Sequence, residues 1–359
     1  MKSRAQTVFI SLTMASALIA APAFSNHHAT SEAGQGQVAT PEQYFEKMVE
    51  AVKKINYKGI LVFNSIAPGD GTISALEIVH KNQDQKEVKI SSIDGKPVSI
   101  YRKNNRVKEL LGGKHQAEKI INNPFENFCA RTLDQKQLTK NYQVKFANDS
   151  VTAGRDVKVV LLQPKSGRVY GYSFYIDKET YMPLKMDYIP NNGTNINSYM
   201  FVNIDYPTHL KEQDMVIKKQ GKIVMPDKSK PKLAEPQAQD AERSAQPQVS
   251  EVMQKGKTNW EINYLPQGFT LIDHQTQKFH KKHNNVEHFV FSDGIALISV
   301  YIESVPENQI FRGSSIKGAM SAYGTVQDGH QVVVVGKVPI DTLELVGNAV
   351  QQKVHKQKK

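Results

Sequence analysis

Cysteine is almost absent: Cys129 stands alone among 359 residues. No internal disulfide can form, so stability must come from packed apolar cores. A lone Cys in such a chain reads as a small buried residue rather than a nucleophile. Long apolar runs are missing beyond the first 25 residues, where nothing approaches the ~18 apolar residues of a spanning helix. Gly-x-Ser-x-Gly, Gly-x-Gly-x-x-Gly, a Gly-Lys-Ser phosphate loop and His-Glu-x-x-His are all missing. No acidic residues are forced into a pair. The chain therefore reads as a binding or regulatory protein with no catalytic residues and no cofactor. His274, His280, His283 and His288 fall close together, but without zinc-ligand spacing or a Cys they predict no metal site.

Aromatic residues are missing between Tyr206 and Trp260. The last part of that gap, Pro226 to Gly256, mixes Pro226, Pro231, Pro236 and Pro247 with Lys, Gln, Glu, Ala and Ser. Such a segment has too little to bury to recover its ordering entropy, and it predicts a tether. As a flexible coil it would span roughly 30 Å. The expected organisation is a first domain over 40–210, a flexible linker over 211–258 and a smaller domain over 259–355.

What is present begins with an export pattern. Lys2 and Arg4 precede the uncharged apolar run Val8 to Ala21. Ala21-Pro22-Ala23 or Ala23-Phe24-Ser25 then offers small residues for cleavage, so residues 1–25 are expected to be a cleaved signal peptide. With no Cys at that point, lipoprotein processing is not indicated. The net charge of +11 falls to +9 without Lys2 and Arg4, and residues 41–206 carry 24 basic against 18 acidic side chains. For an exported chain this suits anionic lipid, glycolipid or an acidic peptide better than nucleic acid. A merely soluble basic surface explains the charge equally well.

Thr40-Pro41-Glu42-Gln43 is a helix start: Thr40 caps, Pro41 takes the first turn, and Gln43 completes a capping box. Tyr44, Phe45, Met48, Val49, Val52 and Ile55 continue at helical spacing. From Gly59 the period becomes two, and short strands alternate with turns at Pro68-Gly69-Asp70-Gly71, Asp94-Gly95 and Asn191-Asn192-Gly193. Asp134 to Tyr142 reads as a short helix. Tyr172, Phe174, Met186, Tyr188 and Met200 are expected on one side of neighbouring strands. They either line an apolar ligand face or form ordinary sheet core. In the second domain, Val286 to Phe291 and Ile295 to Ile302 flank Ser292-Asp293-Gly294 as a hairpin. A second hairpin turns at Asp328-Gly329, and a last helix starts at Pro339 with Ile340, Leu343, Val346 and Val350 on one face. The fold class is α+β, an antiparallel sheet with packed helices followed by a smaller α+β domain.

Two blocks resemble the RseB/MucB family of periplasmic negative regulators. One runs Ser166-Gly167-Arg168-Val169-Tyr170-Gly171-Tyr172 through Ile176-Asp177, Met182-Pro183-Leu184 and Met186-Asp187. The other is Trp260, then Leu265-Pro266-Gln267-Gly268-Phe269, then Phe291-Ser292-Asp293-Gly294. The resemblance implies a curved LolA/LolB-like half-barrel with an apolar cavity, which favours a ligand face over plain core for the alternating Tyr172, Phe174, Met186, Tyr188 and Met200. It further implies binding to the periplasmic part of a membrane anti-sigma factor (RseA or MucA type), shielding from the protease DegS, and release by lipopolysaccharide or lipoprotein. A periplasmic lipid or lipoprotein carrier is the alternative, and a homodimer is possible for either. The hairpin Phe289 to Tyr301 is the expected partner contact. The long linker and the basic tail Lys356 to Lys359 carry no assigned role.

Overall fold

The computed structural model describes residues 39–65, 72–82, 85–93, 97–104, 106–112, 123–131, 135–190, 197–219, 222–224, 258–278 and 285–353. The expected signal peptide, the tether, the basic tail, His280, His283 and the three turns expected at 68–71, 94–95 and 191–193 lie outside these residues. Ala39–Lys359 form one compact unit, and within it the strands make two main sheets that are mostly antiparallel, with few helices.

Helix α1 (Pro41–Lys54) opens the chain as its sequence predicts. The Thr40 hydroxyl accepts from the Gln43 N–H while the Gln43 side chain accepts from the Thr40 N–H. Five strands follow: β1 (Tyr57–Ser65), β2 (Thr72–Asn82), β3 (Lys86–Ser92), β4 (Ser99–Lys103) and β5 (Arg106–Leu111). Two short helices, α2 (Pro124–Arg131) and α3 (Gln135–Asn141), interrupt the meander. Then come β6 (Tyr142–Phe146), β7 (Ser150–Thr152), β8 (Arg155–Pro164), β9 (Gly171–Asp177), β10 (Pro183–Ile189) and β11 (Asn197–Asp205). The strand order is β5-β4-β3-β2-β1-β11-β10-β9-β8-β6, with β7 added to β8, so β11 returns to close against β1.

One face of this sheet carries the helices. Phe45, Met48 and Val52 of α1 and Phe125, Phe128 and Cys129 of α2 are buried with Leu61, Ile78, Val160, Phe174, Met186 and Phe201 of the strands. Burying rings of this size removes 150–250 Å² each from water, which makes this layer the main source of stability.

Residues 211–219, assigned by composition to the linker, instead lie on the sheet. A 3-10 turn (Glu212–Met215) leads into β12 (Ile217–Lys219), which pairs with β13 (Lys222–Val224). Leu210, Met215 and Ile217 pack on Val79 and Tyr101 as a second apolar cluster. With Val216 also buried, four apolar side chains suffice to hold a strap that has no aromatic of its own, which is why composition overlooked it.

The second sheet begins after β14 (Trp260–Ile262). Strands β15 (Thr270–Lys278), β16 (Asn285–Ser292), β17 (Leu297–Glu303), β18 (Gly313–Lys317), β19 (Met320–Gln327) and β20 (His330–Gly336) take the order β15-β16-β17-β20-β19-β18. Helix α4 (Ile340–Asn348) lays Leu343 and Val346 on β19 and β20. The stripe expected to continue to Val350 is cut at Ala349, and Val350 starts β21 (Val350–Gln352), which pairs with β14.

Each sheet buries one histidine. The His80 ring is stacked on Tyr57 with centroids 5.0 Å apart, and its Nδ1 lies 2.9 Å from the Ile55 carbonyl oxygen. A carbonyl oxygen only accepts, so Nδ1 carries the proton. His288 stacks on Tyr301 at 4.2 Å, and its Nε2 has no hydrogen-bond partner. Burial pushes both pKa values below 6.5; the charge of Glu126 opposes this at His80, and that of Asp273 at His288. Each ring binds a proton less readily folded than unfolded. Their contribution is full above pH 6.5 and is lost as pH falls below it toward the folded values. The urea midpoint is therefore expected to drop between pH ~7.5 and ~5.5, and His288→Phe to flatten that drop; identical pH slopes in the two proteins would exclude His288 as a cause.

Candidate functional site

Tyr172 and Phe174 alternate on β9 with Ser173 between them, and Met186 and Tyr188 face them across β10 in the pairs Phe174–Met186 and Tyr172–Tyr188. The structure brings these four together on the helix-covered face, all buried. Phe128 of α2 packs on Tyr172 at 5.1 Å and on Phe174 at 4.8 Å between centroids, and Phe45 of α1 meets Phe174 at 5.6 Å. The space in front of the four residues is thus filled by rings of this chain.

Met200 is not with them. It pairs with Lys185 and Val62, one step out of phase with Met186, and it is 36% exposed on the opposite face. The cause is a β-bulge in β11. Ile60 faces Asn203 while Leu61 faces Phe201, so Val202 is an extra residue. Counting by twos from buried Ile204 back to Met200 crosses that residue and inverts the face.

The aromatic layer runs on to the second sheet. Tyr172 meets Tyr142, the first residue of β6, at 6.3 Å. The Tyr142 hydroxyl donates to Asp293 Oδ2 at 2.9 Å, with both side chains buried. Asn141, immediately before it, donates through Nδ2 to the Asp293 carbonyl oxygen at 2.6 Å. Asp293 sits in the β16–β17 turn, and its Oδ1 accepts from the N–H groups of Ile295 and Ala296 at 2.9 and 2.7 Å. Burial pushes the Asp293 carboxyl above its usual range, and these donors hold it back. Burial, reinforced by the Asp293 charge, pushes Tyr142 well above 10.0, so its hydroxyl keeps the proton it donates. The hairpin Phe289 to Tyr301, expected to meet a partner, spends its tip on this intramolecular contact.

Gly268 completes the joint. Its φ of +90° suits glycine, and a Cβ there would lie 2.2 Å from Asn141 Oδ1. Three further contacts join the two halves: Arg168 Nη1 pairs with Asp341 of α4 at 2.6 Å, buried Thr342 donates to the Arg168 carbonyl oxygen at 2.9 Å, and Lys337 Nζ donates to the Tyr188 hydroxyl at 3.4 Å. The Arg168–Asp341 pair is largely exposed and adds little. The buried Tyr142–Asp293 contact and the Thr342 hydroxyl fix the register. No group of three or more His, Cys, Asp or Glu side chains able to hold a metal occurs among the described residues. His274 is taken by Glu287 at 2.5 Å.

Comparison with known proteins places these features. Residues 40–218 match the MucB/RseB N-terminal domain and residues 254–351 the MucB/RseB C-terminal domain. The sigma factor AlgU regulatory protein MucB of Pseudomonas aeruginosa is 23% identical over 334 residues, covering 90% of this chain and 94% of that protein. The sigma-E factor regulatory protein RseB of Haemophilus influenzae is 23% identical over 308 residues, covering 85% and 89%. Among solved structures, the Pseudomonas aeruginosa MucA/MucB complex shares the fold with a TM-score of 0.64 at 20% identity, covering 88% of this chain and 99% of that one. MucB alone gives 0.54 at 20% identity, covering 87% and 98%.

Removing the Tyr142 hydroxyl (Tyr142→Phe) leaves Asp293 Oδ2 buried and unpaired, and should cost about 1–3 kcal/mol in equilibrium denaturation. Asp293→Asn in the same background should recover part of that loss, since a neutral amide tolerates the site better than an unpaired carboxylate. A silent Tyr142→Phe would remove the joint from the stability of the fold. Gly268→Ala should be worse than Tyr142→Phe, because it combines left-handed strain with a clash on Asn141.

Proposed function

The chain belongs to the MucB/RseB family, and we propose that it binds the periplasmic segment of a membrane anti-sigma factor of the RseA/MucA type. In this reading it is a non-enzymatic periplasmic regulator that shields the segment from a DegS-type protease and so restrains a sigma-E envelope stress response. The observation that carries it is the match of both halves of the chain, in order, to the two domains of one regulatory family. The relatives named as sigma factor regulatory proteins and the solved complex of MucB with MucA support the partner class. The basic excess on the first half suits an exported protein that meets acidic peptide or anionic lipid.

The large open sheet serves, in the same reading, as a LolA/LolB-like half-barrel whose ligand face is built on Tyr172, Phe174, Met186 and Tyr188. An acyl chain of lipopolysaccharide or lipoprotein reaches that face by displacing Phe128 and Phe125 of α2. The disturbance passes to the joint through Tyr172–Tyr142 and through Tyr188–Lys337, and the anti-sigma segment is released. Met200, on the opposite face, takes no part.

Purified mature protein is expected to slow cleavage of the anti-sigma segment by the protease in proportion to occupancy. Unchanged cleavage at saturating protein would sink the regulator reading. Adding lipopolysaccharide should restore cleavage, and Phe128→Trp, which fills the face further, should raise the concentration of lipid needed. Equal lipid sensitivity in wild type and Phe128→Trp would move the ligand elsewhere.

A further inference from the structure

Helix α2 rests on the first sheet through Phe125, Phe128 and Cys129, and beside these apolar contacts lies a buried polar seat. Asn123, just before the helix, donates through Nδ2 to the Tyr57 hydroxyl of β1 at 2.5 Å. Its Oδ1 accepts from the Phe125 N–H at 3.0 Å. Lys86 Nζ of β3 pairs with Glu126 Oε2 at 3.0 Å. Between these two anchors stands the His80 ring of β2, stacked on Tyr57 and wholly buried.

Two atoms of the seat have no partner. His80 Nε2 faces Glu126 Oε1 at 3.8 Å, beyond hydrogen-bond reach, and neither atom finds another partner among the described residues. The His80 proton sits on Nδ1, against the Ile55 carbonyl, so Nε2 offers only a lone pair. The carboxylate oxygen offers only another. Two buried acceptors thus face each other with no hydrogen between them, and each weakens the seat it lies in.

A proton arriving at Nε2 has two opposite effects. It gives Glu126 a donor, and it places a cation inside the protein. Burial outweighs the Glu126 charge at His80, and the Lys86 charge works against the proton as well, so the ring is held below 6.5. Tyr57, the remaining titratable group against the ring, stays neutral because burial pushes it well above 10.0. When α2 lifts, the Nε2 edge meets water and its proton affinity returns toward that of free imidazole. The lifted state therefore binds the proton more readily, and the seated state loses ground as pH falls below 6.5. We propose that His80 is a proton-operated release for α2: acidification charges its ring and lifts the helix from the aromatic face with no ligand present. The proposal rests on the reading in which a ligand reaches that face beneath α2, and it adds the proton as a second signal on the same helix.

Amide hydrogen exchange of the full-length mature protein reads the lifting, with each rate set against that of the unfolded chain at the same pH. Between pH ~7.5 and ~5.5 the protection of residues 127–131 should fall at least about three-fold, and that of β9 should fall less. His80→Asn keeps a donor for the Ile55 carbonyl but takes up no proton, so its α2 protection should stay level. Glu126→Gln removes the charge that favours the proton and should steepen the fall. Equal slopes in wild type and His80→Asn overturn the proposal, as does a fall shared equally by β9. Protection that rises in acid overturns it too, since the proton would then clamp Glu126 onto Nε2. Should His80→Asn not fold, a Glu126→Gln slope no steeper than wild type is enough to reject it. Neither lipid nor anti-sigma segment is present, so unchanged cleavage in the protease assay would sink the regulator reading and leave this result standing.

Discussion

A buried carboxylate, Asp293, is the centre of the joint that holds the two sheets in register. Asp293 is costly where it sits, because burial penalises its charge, yet it accepts from two N–H groups of its own turn and from the Tyr142 hydroxyl. A buried ionised group is tolerated only when its lone pairs are filled, so the β16–β17 turn and the start of β6 are stable together in a way neither is alone. The arrangement is specific as well as stabilising. A docking shifted by a few ångströms would leave the carboxylate buried without its third donor, and Gly268 under Asn141 admits little other approach.

That joint is placed where it can feel the helix-covered face. Tyr172 touches Phe128 on one side and Tyr142 on the other, and Tyr188 sits between Tyr172 and Lys337. Close-packed rings cannot yield by small continuous amounts, so moving Phe128 has to be answered by its neighbours. The buried aromatic layer is thus also a physical route from the helix-covered face to the joint.

Much of the fold was legible from residue patterns. The Thr40–Gln43 capping box, the Asp293-Gly294 turn and the pairing of Tyr172, Phe174, Met186 and Tyr188 on one face all follow from local rules, and all are found. What was not legible depends on contacts distant in sequence. The bulge at Val202 displaced Met200 because a one-residue insertion leaves no trace in composition but reverses the period of two. The strap at 211–219 was taken for linker because its burial rests on Leu210, Met215, Val216 and Ile217, with no aromatic among them. The two blocks that carry the family likeness were recognisable as strings, yet their shared meaning was hidden. Arg168, Gly268 and Asp293 come from separate places in the chain and converge on one joint.

Cys129 acquires a use from its position. It is buried on α2, one residue from Phe128, and burial pushes its thiol up to about 12. A thiol so protected stays protonated and beyond the reach of alkylating reagents while α2 is seated, and becomes reactive only when the helix lifts. The chain therefore carries a native clock for the opening of its helix-covered face. The rate at which iodoacetamide consumes this thiol follows the fraction of time the helix is lifted when reclosing is fast, and the opening rate itself when alkylation outpaces reclosing, with no residue changed.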